Sequence, residues 1–188
     1  RISIGLFLKE NLLSKQTDVF DFDRIEIDDN GIGLNEVNYS RLLTLRDESK
    51  KMSNKGTGRI QYIHFFDETI IKSTYKTDND TYKDIEVTLS KKETFLQRNA
   101  IIRLDKDGDS ISSDSCCKVT FLNPLDENDL SFFGNLSAEF VQKDIIKHFL
   151  SLFCENKSKL PHIYITVYHD DTETNKIEIS SDNIPQPD

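Results

Sequence analysis

The feature that most limits how this chain can fold is a two-residue alternation that ends abruptly in glycine. Ile25-Glu26-Ile27-Asp28-Asp29 alternates apolar and polar side chains, and Asn30-Gly31-Ile32-Gly33-Leu34 follows at once. Such alternation belongs to a half-buried strand, and the glycines turn the backbone tightly before regular structure resumes. Ile25, Ile27 and Asp29 share a parity. If the isoleucines face the core, Asp29 ends a core-facing row and Asp28 points the other way. A carboxylate in that place is costly unless it accepts hydrogen bonds, so Asp29 is expected to have a donor partner. The plain alternative is a surface turn, because Asp, Asn and Gly are what any tight turn selects.

A second glycine pair argues against that alternative. Asn54-Lys55-Gly56-Thr57-Gly58-Arg59 leads directly into GRIQYIHFF, residues 58–66, which suits a helix. Free backbone N–H groups and the dipole at a helix start favour an anion. Between the glycine turns, Arg41, Arg46, Lys50, Lys51, Lys55 and Arg59 outnumber Asp47 and Glu48. A charged stretch is usually a solvated face, but joined to glycines this one reads as phosphate-facing. The local excess of base matters because the chain as a whole is acidic. Its 24 Lys and Arg against 33 Asp and Glu give a formal charge of −9, which opposes direct nucleic-acid binding by a generic surface.

A chain of 188 residues, 36% hydrophobic and 30% charged, can bury one sizeable core and has the composition of a soluble globular protein. No apolar run approaches the roughly 20 residues of a spanning helix, and nothing resembles a signal peptide. Cys116, Cys117 and Cys154 form neither a disulfide framework nor a zinc-spaced set, so a reducing cytoplasm is expected. The four histidines, residues 64, 148, 162 and 169, form no ligand pattern and default to core or surface roles.

Pattern and turn chemistry predict strands over 1–8, 23–29, 68–75, 82–89, 99–104, 118–122, 163–168 and 176–179. Helices are predicted over 35–45, with Val37, Leu42 and Leu45 on its apolar side, over 58–66, and over 137–153. The last carries Ala138, Val141, Ile145, Phe149 and Leu152 at helical steps, with Ser137 placed to cap it. Residues 9–18 and 46–55 read as loops, the second mobile. Asp105-Lys106-Asp107-Gly108-Asp109 opens like a calcium loop, but Ser110 and Cys116 stand where such a loop needs Gly and Glu, so a solvated hairpin loop is expected. The elements add up to an α+β class: a two-layer α/β sandwich with a mixed, mostly antiparallel sheet and helices on one face. One domain is expected over residues 1–180, with 181–188 a tail or linker.

The order strand, Asp29-Asn30-Gly31-Ile32-Gly33, helix, Ser49-Lys50 loop, Lys55-Gly56-Thr57-Gly58-Arg59, helix, Ser73-Thr74-Tyr75, then Thr120 in a late strand resembles the GHKL ATPases. That superfamily includes gyrase B, the large heat-shock chaperones, histidine kinases, MutL and the MORC proteins, which share the Bergerat ATP-binding fold. The resemblance covers residues 1–179, is most specific over 25–75, and leans to the chaperone-like and MORC-like branch that includes many bacterial ATP-binding proteins. It implies ATP and Mg2+ as cofactors. Asp29 would accept the adenine amino group, and Gly31 and Gly33 would let the chain pass close to base and ribose, where a Cβ would clash. Asn30 and Leu34 would belong to the same wall, Ser49 and Lys50 to the lid. Lys55, Gly56, Thr57, Gly58 and Arg59 would form the lid end over the phosphates, and Thr120 would support Asp29.

The resemblance also implies an upstream helix carrying a general-base Glu and, four residues later, a magnesium-ligating Asn. No such pair precedes the first strand, and Glu10-Asn11 has neither the spacing nor the helix. The expectation is therefore a chain that begins inside the fold and carries no catalytic residue of its own. The implied function is an ATP-binding domain of a longer polypeptide. It would couple Mg-ATP binding and slow hydrolysis to lid closure, conformational change or a nucleotide-dependent homodimer, away from any membrane. The alternative is a non-catalytic protein-interaction module on the same fold. A histidine-kinase catalytic domain is a third reading, weakened by the missing phospho-acceptor segment.

Overall fold

The computed structural model describes residues 1–11, 20–44, 58–97 and 101–184. In chain order the strands are β1 (Ile2–Glu10), β2 (Phe20–Asp29), β3 (Phe66–Lys76), β4 (Tyr82–Ser90), β5 (Ile102–Asp109), β6 (Cys116–Pro124), β7 (Ile163–His169) and β8 (Thr172–Ile179). The helices are α1 (Glu36–Leu43), α2 (Gly58–Phe65), α3 (Glu93–Leu96), α4 (Glu127–Gly134), α5 (Ala138–His148) and α6 (Leu150–Glu155). The chain is of the α+β class, and the strand ladders are mostly antiparallel, with β1 parallel to β7. It divides into two compact units, Arg1–Ile27 with Leu130–Asp188, and Asp28–Asp129.

In the first unit the strand order is β2-β1-β7-β8. The β7–β8 hairpin turns at Asp170 and Asp171, whose φ values of 48° and 61° lie in the left-handed region that short hairpin turns require. Asp170 anchors the turn: its N–H donates to the Leu8 carbonyl at 3.0 Å and its Oδ1 accepts from the Glu10 N–H at 3.1 Å. Alternate residues Leu6, Leu8, Ile163, Ile165, Val167 and Ile179 form the core with Ala138 and Phe153, and Val141 and Ile145 of α5 pack against it. Ser137 caps α5, its side chain accepting from the Phe140 N–H at 3.1 Å.

The single helix predicted over 137–153 is two helices meeting at Phe149, which leaves the helical region at φ −103°, ψ 16°. The break leaves Phe149 43% exposed while Phe153 is buried at 6%, so the apolar stripe does not run through Phe149. The expected tail also holds a core residue. Ser180 and Asn183 form a reciprocal capping box, and Ile184 beyond it is 2% exposed.

The second unit has strand order β5-β4-β3-β6, antiparallel throughout. Ile71, Tyr75, Ile85, Val87 and Leu89 make its core. Leu34, Tyr39 and Leu42 pack on it from the turn and α1, and Tyr62 and Ile63 from α2. Val37, expected on the apolar side of α1, is instead exposed.

Asp105–Asp109, expected to be a loop, belongs to β5 and pairs with β4. Side-chain partners make this acidic segment tenable as a strand: Thr88 Oγ1 from β4 and the Arg103 guanidinium, two residues earlier on β5, both donate to the Asp105 carboxylate. Asp105, Asp107 and Asp109 are strung along an extended strand at roughly 3.3 Å per residue, which spaces them too far apart to gather around one calcium ion. Among the described residues no helix is long and apolar enough to cross a membrane.

Candidate functional site

The site is built where β2 ends, wholly within the second unit. Asp28 and Asp29 diverge as their alternation predicts. Asp28 lies 3.8 Å from Lys118 Nζ, while Asp29 Oδ1 accepts the Gly31 N–H at 2.8 Å. That bond is the donor partner expected for Asp29, and it closes the turn by a side-chain route. A Cβ added at Gly31 would lie 2.7 Å from Asp29 Oδ1. The glycine is thus what lets the carboxylate fold over its own turn.

Gly33 is tied to the adjacent strand. Its φ is +74°, and an added Cβ would stand 2.3 Å from the Thr74 carbonyl oxygen and 2.9 Å from Ser73 Oγ. Only a residue without a side chain fits both the dihedral and the space. The next residue fastens the turn: the Leu34 N–H donates to Ser73 Oγ at 2.8 Å, and the Ser73 hydroxyl donates to the Cys116 carbonyl at 2.6 Å. Ser73 is 4% exposed, so this one hydroxyl satisfies both its donor and its acceptor capacity while joining the turn, β3 and β6.

Helix α1 starts immediately afterwards. Asn35 is its N-cap, the side chain accepting from the Asn38 N–H at 2.9 Å, and Asn38 Nδ2 donates back to the Gly33 carbonyl at 3.1 Å. These hydrogen bonds together tie the Asp29–Leu34 loop to β3 and to the start of α1.

The β3–β6 register decides which late-strand residue stands next to the turn. Ser73 pairs with Cys117, Ile71 with Val119 and Ile70 with Thr120. Cys117 and Val119 pack against the core that Leu34, Tyr39 and Leu42 cover, and Phe121 meets the Tyr62 ring of α2 at 5.2 Å. Residues 117, 119 and 121 therefore share the helix-covered face. Thr120 has the opposite parity, the one shared with Lys118 on its way to Asp28, and does not come to Asp29 as expected. Cys117 stands across the ladder from Ser73: burial pushes its thiol up to about 11, with the Asp29 carboxylate adding to the rise and a hydrogen bond with Ser73 opposing it.

The structure brings Asp29, Asn30, Gly31, Gly33 and Leu34 together in one turn. Gly58 and Arg59 open α2, while Ser49, Lys50, Lys55, Gly56 and Thr57 lie outside the described residues. Ser73, named in the sequence analysis only within a strand motif, is what fastens the turn, and Cys117 pairs with it across the ladder. The available signal was the apolar alternation Cys117, Val119, Phe121, which extends the late strand to include the cysteine pair. Among the described residues no group of His, Cys, Asp and Glu could hold a metal ion.

No family model and no curated protein matches the chain. Among solved structures it is similar to the ATPase region of Saccharomyces cerevisiae topoisomerase II, at 16% identity and a TM-score of 0.44 over 93% of this chain and 43% of that one. It is also similar to the N-terminal domain of a DNA repair protein, at 12% identity and a TM-score of 0.45 over 94% of this chain and 46% of that one. The chain thus spans less than half the length of these neighbours. Likeness at this level bears on neither ligand nor activity.

Proposed function

We propose that the chain is a GHKL-type ATP-binding module, in which Asp29 reads the adenine amino group. The observation that carries this reading is the half-buried Asp29 carboxylate, fixed at a strand end by the Gly31 N–H through Oδ1. An exocyclic amine is a neutral donor, and a carboxylate held in a fixed direction accepts from it with charge assistance. Gly31, Gly33 and Leu34 supply a wall whose backbone is exposed to close approach because two of its residues lack a Cβ. Asn30 caps the outside of the same turn.

The phosphates would meet the start of α2, where Gly58 and Arg59 follow Lys55, Gly56 and Thr57, and where unpaired N–H groups favour an anion. Ser49 and Lys50 would belong to the segment that closes over them. ATP fits the residues present, because a half-buried carboxylate and a pinned glycine turn suit a flat, amine-bearing base. Magnesium would be held mainly by the nucleotide's own phosphates, since among the described residues no group of three or more His, Cys, Asp or Glu could hold a metal ion. The module binds and positions the nucleotide, and coupling of that binding to lid closure, to a second copy or to further domains is the role proposed for it. Cleavage of the nucleotide is not proposed for these residues.

The test is an equilibrium titration of ATP and ADP into the wild-type chain and Asp29→Asn. The reading expects saturable binding by the wild type and at least about a tenfold loss in the variant, as fits removal of one charge-assisted hydrogen bond. Equal affinity in the two folded proteins would remove Asp29 from the site.

A further inference from the structure

We infer that Ser73 is a positioning residue of the base site: its hydroxyl sets the height of the Asp29–Leu34 turn over β3, and through the turn the direction in which the Asp29 carboxylate meets a base. Resting on the nucleotide-binding reading above, this role belongs to a residue that need touch no ligand.

Ser73 is held from both sides, paired with Ile85 of β4 and Cys117 of β6. Its hydroxyl has one hydrogen and two lone pairs. The hydrogen is committed to the Cys116 carbonyl at 2.6 Å, which fixes the rotor, and a lone pair then accepts the Leu34 N–H at 2.8 Å. The turn thus meets an acceptor whose position and direction are both set by paired strands. Gly33 presses on the same atom, because a Cβ there would stand 2.9 Å from Ser73 Oγ. The other contacts of the turn are local. Asp29 Oδ1 accepts from Gly31 within the turn, and Asn38, which donates to the Gly33 carbonyl, lies on the helix that follows it. Ser73 is what references the turn to β3. Without the hydroxyl, the Leu34 N–H loses that acceptor and the turn is free to shift on its glycines.

Two pairs of variants of the full chain isolate the hydroxyl. Ser73 and Ser73→Ala differ by it alone, and Ser73→Thr and Ser73→Val exchange it for a methyl at constant shape, so a second comparison remains if alanine impairs folding. Circular dichroism and urea unfolding confirm each fold. The probes are ATP and inosine triphosphate, which carries a carbonyl in place of the amino group. Loss of the hydroxyl should weaken ATP by about tenfold and inosine triphosphate by less than about threefold, so that preference for ATP shrinks. A purely structural role would weaken both nucleotides alike. Hydrogen exchange of the peptide spanning residues 29–34, read by mass spectrometry without nucleotide, should quicken in the same variants.

If the wild type prefers ATP and the folded hydroxyl-less variants keep that preference, or lose both nucleotides in equal measure, the role given to Ser73 is overturned and the reading of Asp29 stands. Unchanged exchange over residues 29–34 would overturn it as well. If the wild type itself does not distinguish the two nucleotides, the base reading fails and the role of Ser73 with it.

Discussion

Replacing Gly33 by alanine probes the turn on which the account depends. At φ +74° an alanine adopts the left-handed region, at a cost of about 1 kcal/mol. The added methyl would stand 2.3 Å from the Thr74 carbonyl oxygen, which is backbone of a strand paired on both sides and yields little. The turn must lift instead, and lifting it breaks the Leu34 N–H to Ser73 Oγ bond of 2.8 Å. Leaving that buried hydroxyl and amide unmatched costs about 1–3 kcal/mol. Together the terms predict a loss of roughly 2–4 kcal/mol, or about 5–15 °C in thermal midpoint for a chain of this length.

Gly31→Ala is the matched comparison. Its φ lies outside the left-handed region and the added methyl meets only the Asp29 carboxylate, 2.7 Å away. A side chain can rotate aside, so stability should fall by less than about 1 kcal/mol while ATP affinity falls with the displaced carboxylate. Urea unfolding of the variants, with nucleotide titration of each, separates the two effects. A Gly33→Ala protein as stable as the wild type would refute the close approach to β3. A Gly31→Ala protein with unchanged affinity would refute the role of the Asp29 carboxylate.

Other expectations follow from charged groups away from the turn. Asp84 accepts hydrogen bonds from Ser110, Lys106 and Thr74, which hold its carboxyl down at about 2. Its contribution to stability is therefore complete above its ordinary value of 3.8 and is lost as pH falls toward about 2; Asp84→Asn should flatten stability across that interval in acid titrations followed by circular dichroism. Arg24 lies 3.8 Å over the Phe7 ring and donates to Asp23, Glu26 and Asp171. Arg24→Lys keeps the charge but not the planar fork, and should lower unfolding free energy by about 1–2 kcal/mol in urea titrations.

What was legible in the sequence was whatever a local rule decides. The alternation before Asp29 identified the strand and the divergence of Asp28 from Asp29, and the placement of Ser137 identified the start of α5. What was not legible depended on pairing. Thr120 is the late-strand residue that the resemblance implies as support for Asp29, and a strand read from Lys118 leaves its parity open. The strand begins at Cys116, and its parity is set by Ile71 and Ser73 across the ladder. The β5 strand hid behind Asp and Gly, residues that strands avoid, while Thr88 and Arg103 satisfy its Asp105. The end of α5 at Phe149 is a break in the backbone dihedrals that helical spacing alone does not contain. Helix α4 was missed although Asp126 caps its start by accepting the Asn128 N–H at 2.7 Å; the Pro124 before it drew the eye to a breaker instead. Ser73 looked like a plain strand serine because its two partners come from the turn and from β6.

The most direct test of the central claim compares two ligands on the unaltered protein. Inosine triphosphate differs from ATP in presenting a carbonyl where adenine has its amino group, so two acceptors would face each other at Asp29. Isothermal titration of both should show ATP bound roughly 10- to 100-fold more tightly, the range expected when a charged acceptor meets an acceptor instead of a donor. Equal affinity for the two nucleotides would mean that the Asp29 carboxylate does not read the base.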